Sequence, residues 1–205
     1  MKIDMANLDW RDAHEVVAAS IVPRPIAFIS TIGEDGIFNL AAFSFFVPVC
    51  CKPTLIGISA SYKRTGEKKD TLVNIEATKE FVINVVDEAL AEPMLHASID
   101  YPSYVDEFKE VVGLTPVKAD LVKAPMVVES PINMECRLSQ ILEFSEAGRK
   151  TSFIIGEVLR VHVMDELYVD GEIEPASWKA IARLGGEMYC RTRDVFEMKR
   201  PYVFG

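Results

Sequence analysis

Two long runs in the second half of the chain limit what it can fold into more than any other feature. From Ile132 to Phe144 the sequence partly alternates, with Ile132, Met134, Cys136 and Leu138 set against Asn133, Glu135 and Arg137. This is the period-two pattern of a strand with one face turned inward. From Ser152 to Met164 runs a β-branched stretch with Gly156 inside it, and Ser145-Glu146-Ala147-Gly148 between the two reads as a turn. Long antiparallel strands joined by tight turns point to a barrel.

Further strands are expected at Ile26 to Ile32, Ile37 to Phe46, Leu55 to Ala60, Phe81 to Val86 and Met188 to Thr192. Gly33-Glu34-Asp35-Gly36 makes the first two of these a hairpin, and Gly57 marks a close backbone approach or a bulge. Trp10 to Ser20 reads as a short helix with Val16 and Val17 on its apolar side, stopped by Pro23 and Pro25. Thr71 to Thr78 and Ser177 to Leu184 read as short helices, the second ended by Gly185-Gly186. Asp87 to Gly113 is expected to be helical but irregular, with breaks at Pro93 and Pro102. No repeat, low-complexity tract or Gly/Ser linker divides the sequence, so residues 1–205 are expected to form a single domain.

The net charge of −9 and pI of about 4.9 argue against a nucleic-acid partner, because such a surface repels phosphate backbones. One small phosphorylated ligand held by a local basic cluster remains compatible. The N-terminal residues carry no apolar signal core, and the most apolar stretch, Leu40 to Cys51, is short for a membrane span and interrupted by Pro48. The expectation is a cytoplasmic protein without a membrane partner. Cys50, Cys51, Cys136 and Cys190 fit neither a disulfide framework nor a C-x-x-C metal site and read as buried, reduced thiols. His14, His96 and His162 lack metal-ligand spacing, there is no G-x-S-x-G elbow, and no G-x-G-x-x-G fingerprint announces a separate nicotinamide domain.

Three stretches carry chemistry. In Ser59 to Asn74 a strand ends, a basic loop follows with Lys63, Arg64, Lys68 and Lys69, and a helix begins near Asp70-Thr71. Unpaired N–H groups and the positive dipole end at a helix start attract phosphate, and Ser59, Ser61 and Thr71 offer hydroxyls. Asp70 would repel phosphate and reads as the N-cap. A solvated charged loop has the same composition. In Ile37 to Pro48, small Ala41, Ala42 and Ser44 interrupt Phe38, Phe43, Phe45 and Phe46, so a flat ring has exposed backbone to lie on; an ordinary core strand reads the same way. In Arg183 to Tyr189 the pair Gly185-Gly186 is a helix C-cap and turn, or a place where backbone meets a ligand closely.

Taken in order, Ile21-Val22-Pro23-Arg24-Pro25-Ile26-Ala27-Phe28-Ile29-Ser30-Thr31, Asn39-Leu40-Ala41-Ala42-Phe43-Ser44-Phe45-Phe46, Lys69-Asp70-Thr71 with Asn74-Ile75, Glu80-Phe81-Val82-Ile83-Asn84, and Arg183-Leu184-Gly185-Gly186 resemble the flavin-reductase-like family of FMN-binding split barrels. The longer chain and the Pro23-Arg24-Pro25-Ile26-Ala27 segment look more like its flavoredoxin-type branch. The resemblance implies a mainly β fold with flanking helices, a six-stranded antiparallel Greek-key split barrel, and a homodimer holding FMN near the subunit interface. It places Asn39, Leu40, Ala41, Ala42 and Ser44 against the isoalloxazine and ribityl chain. Ser59, Lys69, Asp70 and Thr71 fall at the phosphate, Arg24 and Arg64 as extra contacts, and Gly185 and Gly186 beside the flavin. The implied chemistry is an FMN-dependent oxidoreductase taking electrons from NADH, NADPH or another donor. The alternative is a non-enzymatic FMN electron carrier with a redox partner protein. Two departures stand out. Ala42 occupies a position where the family often has proline, and Glu187 follows the Gly pair where nicotinamide-using members often have histidine. No side-chain acid or base is singled out as catalytic.

Overall fold

The computed structural model describes residues 1–146, 149–174, 178–199 and 201. Strands β1 (Ala27–Ile32), β2 (Phe38–Phe43), β3 (Phe46–Cys50), β4 (Leu55–Ser61) and β5 (Glu80–Val85) come first. Two-residue strands β6 (Pro116–Val117) and β7 (Met126–Val127) precede the long pair β8 (Ile132–Glu146) and β9 (Arg149–Val163). Short strands β10 (Tyr168–Val169), β11 (Glu172–Ile173), β12 (Ile181–Arg183) and β13 (Tyr189–Arg191) follow. Helices α1 (Trp10–Ser20), α2 (Asp70–Thr78) and α3 (Ala91–His96) and a π-helix over Glu107–Val112 flank them. Among the described residues no helix is long and apolar enough to cross a membrane.

The main sheet has seven strands in the order β2-β1-β5-β8-β9-β4-β3, not the six expected. The seventh arises because the apolar run from Ile37 to Phe46 does not continue as one strand. It pairs with β1 up to Phe43, turns at Ser44-Phe45, and then pairs with β4 from Phe46. One run therefore supplies both edges. Laid flat, seven strands would hold the edges about 29 Å apart at the usual strand spacing. Three Cα steps, from Phe43 to Phe46, reach about 11 Å at most. The sheet must roll until its edges meet at a seam, and a backbone bond from Ser59 N–H to the Phe45 carbonyl (2.8 Å) extends the β3–β4 pairing up to the junction.

Inside the roll, Ala27, Ile29, Phe43, Ile58, Phe81, Ile83, Cys136 and Ile154 pack with Leu72 and Ile75 of α2. On the other face of β1 and β2, Phe28 and Leu40 pack with Leu90, Met94 and Phe108. Ala119, Val122, Ala124 and Met126 cover Val82. That third cover explains a departure from the alternating pattern: Asn133 and Glu135, on the nominally polar side of β8, are buried.

Two strand glycines permit close packing. A Cβ on Gly57 would lie 2.3 Å from a ring carbon of Phe153, and one on Gly156 would lie 2.4 Å from a ring carbon of Phe81. Gly57→Ala must push an aromatic ring out of place, and a loss of about 1–3 kcal/mol is expected in urea unfolding; an unchanged midpoint would show that the ring moves freely.

Several local expectations are corrected. Lys69, not Asp70, occupies the N-cap of α2 and makes no side-chain cap bond; Asp70 lies in the first turn and accepts from Lys63 Nζ at 2.9 Å. The stretch expected as a helix before Gly185 holds strand β12, because Ile181 to Arg183 pair with Tyr189 to Arg191; Ser177 lies outside the described residues, as do Ala147 and Gly148 of the expected turn. Pro93 is inside α3 rather than a break, in the first turn, where its missing N–H has no intrahelical partner to lose. Val17 is exposed and only Ala18 of α1 is buried. All four cysteines are free, but only Cys136 is buried, while Cys50 and Cys51 are exposed.

Candidate functional site

The Ser44-Phe45 junction forms one wall of a pocket of about 460 Å³, a size typical of small-molecule sites. Ala42, Phe43, Ser44 and Phe45 come from the junction, Ser59 and Ser61 from the end of β4, Lys69 from the start of α2 and Thr151 from β9. His14 and Arg24 close one side, with Met94, Ser98, Arg183 and Tyr189 completing the wall. Five of the expected residues, Arg24, Ala42, Ser44, Ser59 and Lys69, are thus gathered around one cavity from three separate stretches of sequence.

Asn39, Ala41, Asp70 and Thr71 line a narrow crevice that shares Ala42, Phe43, Lys69 and Ser98 with this pocket. Their side chains are engaged with protein. Thr71, buried, donates from its hydroxyl to Asn39 Oδ1 at 2.8 Å, and Thr31 donates to the same oxygen at 3.2 Å. Asn39 Nδ2 and the Leu40 N–H both donate to Oε2 of Glu107. The Leu40 side chain points into the outer core. Lys69 pairs with Asp100, Lys63 with Asp70 and Lys68 with Glu76. Much of the basic loop's charge is therefore balanced within the chain. Arg64 does not reach this pocket and lines a different cleft.

Arg24 is buried and works as a tie. Its guanidinium donates to the carbonyls of Ala18, Ile21 and Leu184, joining the end of α1 to the Gly185-Gly186 turn. Burial, and then the nearby Arg183, lower its pKa, with Glu15 opposing them. Its Nε is buried, with no hydrogen-bond partner among the described residues. Gly185 and Gly186 themselves do not line the pocket. Gly185 packs on α1, where a Cβ would lie 2.9 Å from Ala19 Cβ. The turn they make carries Arg183 and Tyr189 to the pocket wall, and the Arg183 guanidinium lies 4.6 Å from the Tyr189 ring centroid. Glu187 is exposed and lies outside that wall.

Several residues escaped the sequence reading, among them Met94, Ser98 and Thr151 of the pocket wall. His14 stacks on Phe45, ring centroids 5.5 Å apart; only the docking of α1 on the seam brings them together. Glu107, at the start of the π-helix, lies beside the crevice with its carboxyl group pushed up to about 7, chiefly by burial, against the opposing bonds from Leu40 and Asn39. Glu110, one turn away and exposed, is the same residue type, so nothing local distinguishes the buried one. Asn39 is the hub of this network, which ties β1, β2, α2 and the π-helix together behind the pocket. In front, the pocket offers a flat surface at Ala42 to Phe45 and, toward Ser59 and Lys69, hydroxyl and ammonium donors suited to an anion.

A family model described as flavin reductase like domain matches residues 19–177. A protein of Halalkalibacterium halodurans, described as uncharacterized, is 34% identical over 205 residues, covering 99% of this chain and 98% of its own length. Nitrilotriacetate monooxygenase component B from Bacillus cereus superimposes with a TM-score of 0.91 at 32% identity, covering 97% of this chain and 98% of that one. The 2-nitrobenzoate 2-nitroreductase of Pseudomonas fluorescens gives 0.88 at 30% identity, covering 98% and 96%. With the match spanning most of the rolled sheet and both walls of the seam, the chain belongs to the flavin reductase-like domain family.

Proposed function

We propose that the chain binds FMN in the pocket at the β2–β3 junction and acts as an oxidoreductase, passing electrons from NADH, NADPH or another donor to an acceptor. The observation that carries this reading is the convergence of Ala42, Ser44, Ser59 and Lys69 on one cavity. The residues fit the cofactor. Backbone at Ala42 to Ser44 offers the flat wall for the ring, and Ser59 with Lys69 suits the phosphate. For Lys69, the phosphate would take the place of the Asp100 carboxylate. Flavin supplies the electron-transfer chemistry when bound, and the protein supplies binding, orientation and electrostatics. The names of two solved relatives, a monooxygenase component and a nitroreductase, support a redox role. A cytoplasmic homodimer formed from one domain belongs to the same reading. Tyr189 on the pocket wall favours a second one, an FMN carrier in which that ring covers the flavin and slows nicotinamide access.

The visible spectrum tests the proposal. Protein incubated with micromolar FMN should acquire a flavin band, and the ligand released by heat should have the mass of FMN. Absence of uptake, or FAD in most preparations, would overturn it. Lys69→Ala should weaken FMN binding tenfold or more, from the usual strength of a charge-assisted bond, with little change in unfolding midpoint. Stopped-flow bleaching of the band by NADH or NADPH, fast and saturable for an enzyme and slow for a carrier, separates the two readings.

A further inference from the structure

No metal-ligand spacing surrounds His162 in the sequence, yet the fold brings its imidazole to two carboxylates. One ligand atom from each of Asp120, Glu135 and His162 lies within 4.8 Å of the other two. Asp120 belongs to the loop between β6 and β7, Glu135 to β8 and His162 to β9. Glu135 is 15 residues from Asp120 and 27 from His162, so only the pairing of the long hairpin and the docking of the loop assemble the group. Among the described residues no other three His, Cys, Asp or Glu side chains are gathered in this way.

Each of the three has an atom to give. Glu135 Oε2 takes the bonds from Leu121 and Val122 N–H, while Oε1 faces His162 Nε2 at 2.6 Å. A neutral imidazole nitrogen carries a lone pair that serves a proton or a metal ion. Arg160 engages one oxygen of Asp120, Oδ2; the two side chains are 46% and 55% exposed, so the pair is weak and the guanidinium is free to turn to solvent. A second observation, independent of this group, comes from Asn133. In the β8–β9 register Asn133 stands directly opposite His162, and Glu135 opposite Arg160, so these side chains share one face of the strand pair. Asn133 is 8% exposed, and its Oδ1 is buried with no hydrogen-bond partner among the described residues. A buried carbonyl oxygen without a donor costs free energy, and a cation beside His162 removes that cost.

We propose that Asp120, Glu135 and His162 bind one divalent ion of the zinc class, with the Asn133 side-chain oxygen as the fourth donor. An imidazole nitrogen among oxygens suits such an ion, whereas magnesium and calcium take oxygens alone. Bonds of about 2.1 Å put tetrahedral ligands about 3.4 Å apart. Closing the group from its present span moves a ligand atom by about 1.4 Å, within reach of the half-exposed Asp120 side chain. The ion would clasp the β6–β7 loop to the long hairpin, and Glu135 would keep its Leu121 and Val122 bonds throughout. The site stands apart from the flavin reading, because none of the four residues lines the pocket of Ser59 and Lys69.

The test is calorimetric titration of Zn²⁺ into the full chain after treatment with a chelator, with Mg²⁺ and Ca²⁺ as controls. One zinc per chain is expected to bind, at least a hundredfold tighter than either control, to raise the unfolding midpoint, and to slow hydrogen exchange in residues 119–126. Asp120→Asn and His162→Gln should each weaken binding tenfold or more, the range for losing a strong ligand. Asp120→Asn should leave the midpoint of the metal-free chain unchanged, since it gives up only an exposed ion pair. The exposed thiols of Cys50 and Cys51 are the competing zinc donors, so the titration is repeated in C50S/C51S, where the site should survive. No saturation at about 100 μM zinc, a hundred times a Kd of about 1 μM, overturns the proposal. So does binding that is lost in C50S/C51S, binding indifferent to Asp120→Asn and His162→Gln, or magnesium or calcium binding as well as zinc.

Discussion

Replacing Glu135 by alanine is expected to cost the fold about 3 kcal/mol, because it removes at once the acceptor of several buried and half-buried hydrogen bonds. Glu135 is fully buried in β8 and accepts backbone N–H bonds from Asp120 (3.3 Å), Leu121 (2.5 Å) and Val122 (3.1 Å), while His162 Nε2 lies 2.6 Å from its other side. One carboxylate thus organises the start of the segment that covers Val82. Alanine would leave those N–H groups short of an acceptor, at the full cost of an unmade buried bond for Val122 and at a smaller one for the half-buried Asp120 and Leu121. Burial by itself would raise this carboxyl's pKa; the bonds from His162, Leu121, Asp120 and Val122 outweigh it and leave the group below the ordinary glutamate value. A depressed folded pKa means the stabilisation is present above the unfolded value and is lost as the pH falls through the folded one. Urea unfolding should therefore show a large gap between wild type and variant at pH 7 that narrows in acid. A gap under 1 kcal/mol at pH 7 would mean that the 119–126 segment contributes little to the fold.

Glu107 acts in the opposite sense. Its carboxyl is raised from 4.5 to about 7, chiefly by burial. Between those two values the unfolded chain gives up a proton that the folded chain retains. The resulting stabilisation is complete below pH 4.5 and disappears as pH rises through 7, a difference of about 3 kcal/mol. Glu107→Gln keeps an oxygen to accept from Leu40 and Asn39 but carries no charge to bury. Its unfolding free energy should lack this slope, so that it gains on the wild type by up to about 3 kcal/mol between pH 5 and pH 8. Parallel stability curves over that interval would show that the ionised carboxylate is accommodated at no cost. Together the two carboxyls favour a stability maximum between their titrations, and the Glu107 side of it falls where flavin binding would be measured, since Asn39 ties Glu107 to Thr71 and the pocket's back wall.

Much of the barrel was legible because its strands are long or bounded by turn residues. The alternation in β8 and the β-branched run of β9 identify themselves, as does the hairpin at Gly33 to Gly36. The break at Ser44-Phe45 was not legible, since an apolar run looks the same whether it serves one sheet edge or two; only its partners, β1 and β4, decide. The burial of Asn133 and Glu135 was hidden for a similar reason, because the covering segment is distant in sequence. Strand β12 was mistaken for a helix because three residues carry too little periodicity to outweigh a distant pairing. Asp70 was read as a cap because its local context suits one, whereas the structure gives its carboxylate to Lys63. At the candidate site, Ala42, Ser44, Ser59 and Lys69 were legible through the order and spacing of their segments. Glu107 and His14 were not, since each gains its place from a packing partner and not from a neighbour in the chain.

The two-residue tether at Ser44-Phe45 also bears on solubility. A seven-stranded sheet that ended in two free edges would offer two rows of unpaired backbone groups to any passing strand of another molecule. Here the tether between β2 and β3 is too short for the edges to part, so each shields the other without the full ladder that closes a barrel elsewhere. A ligand seated against that tether fills the gap the ladder leaves. Occupancy of the pocket would then guard these edges, and the empty protein would be the form more prone to self-association during synthesis or storage.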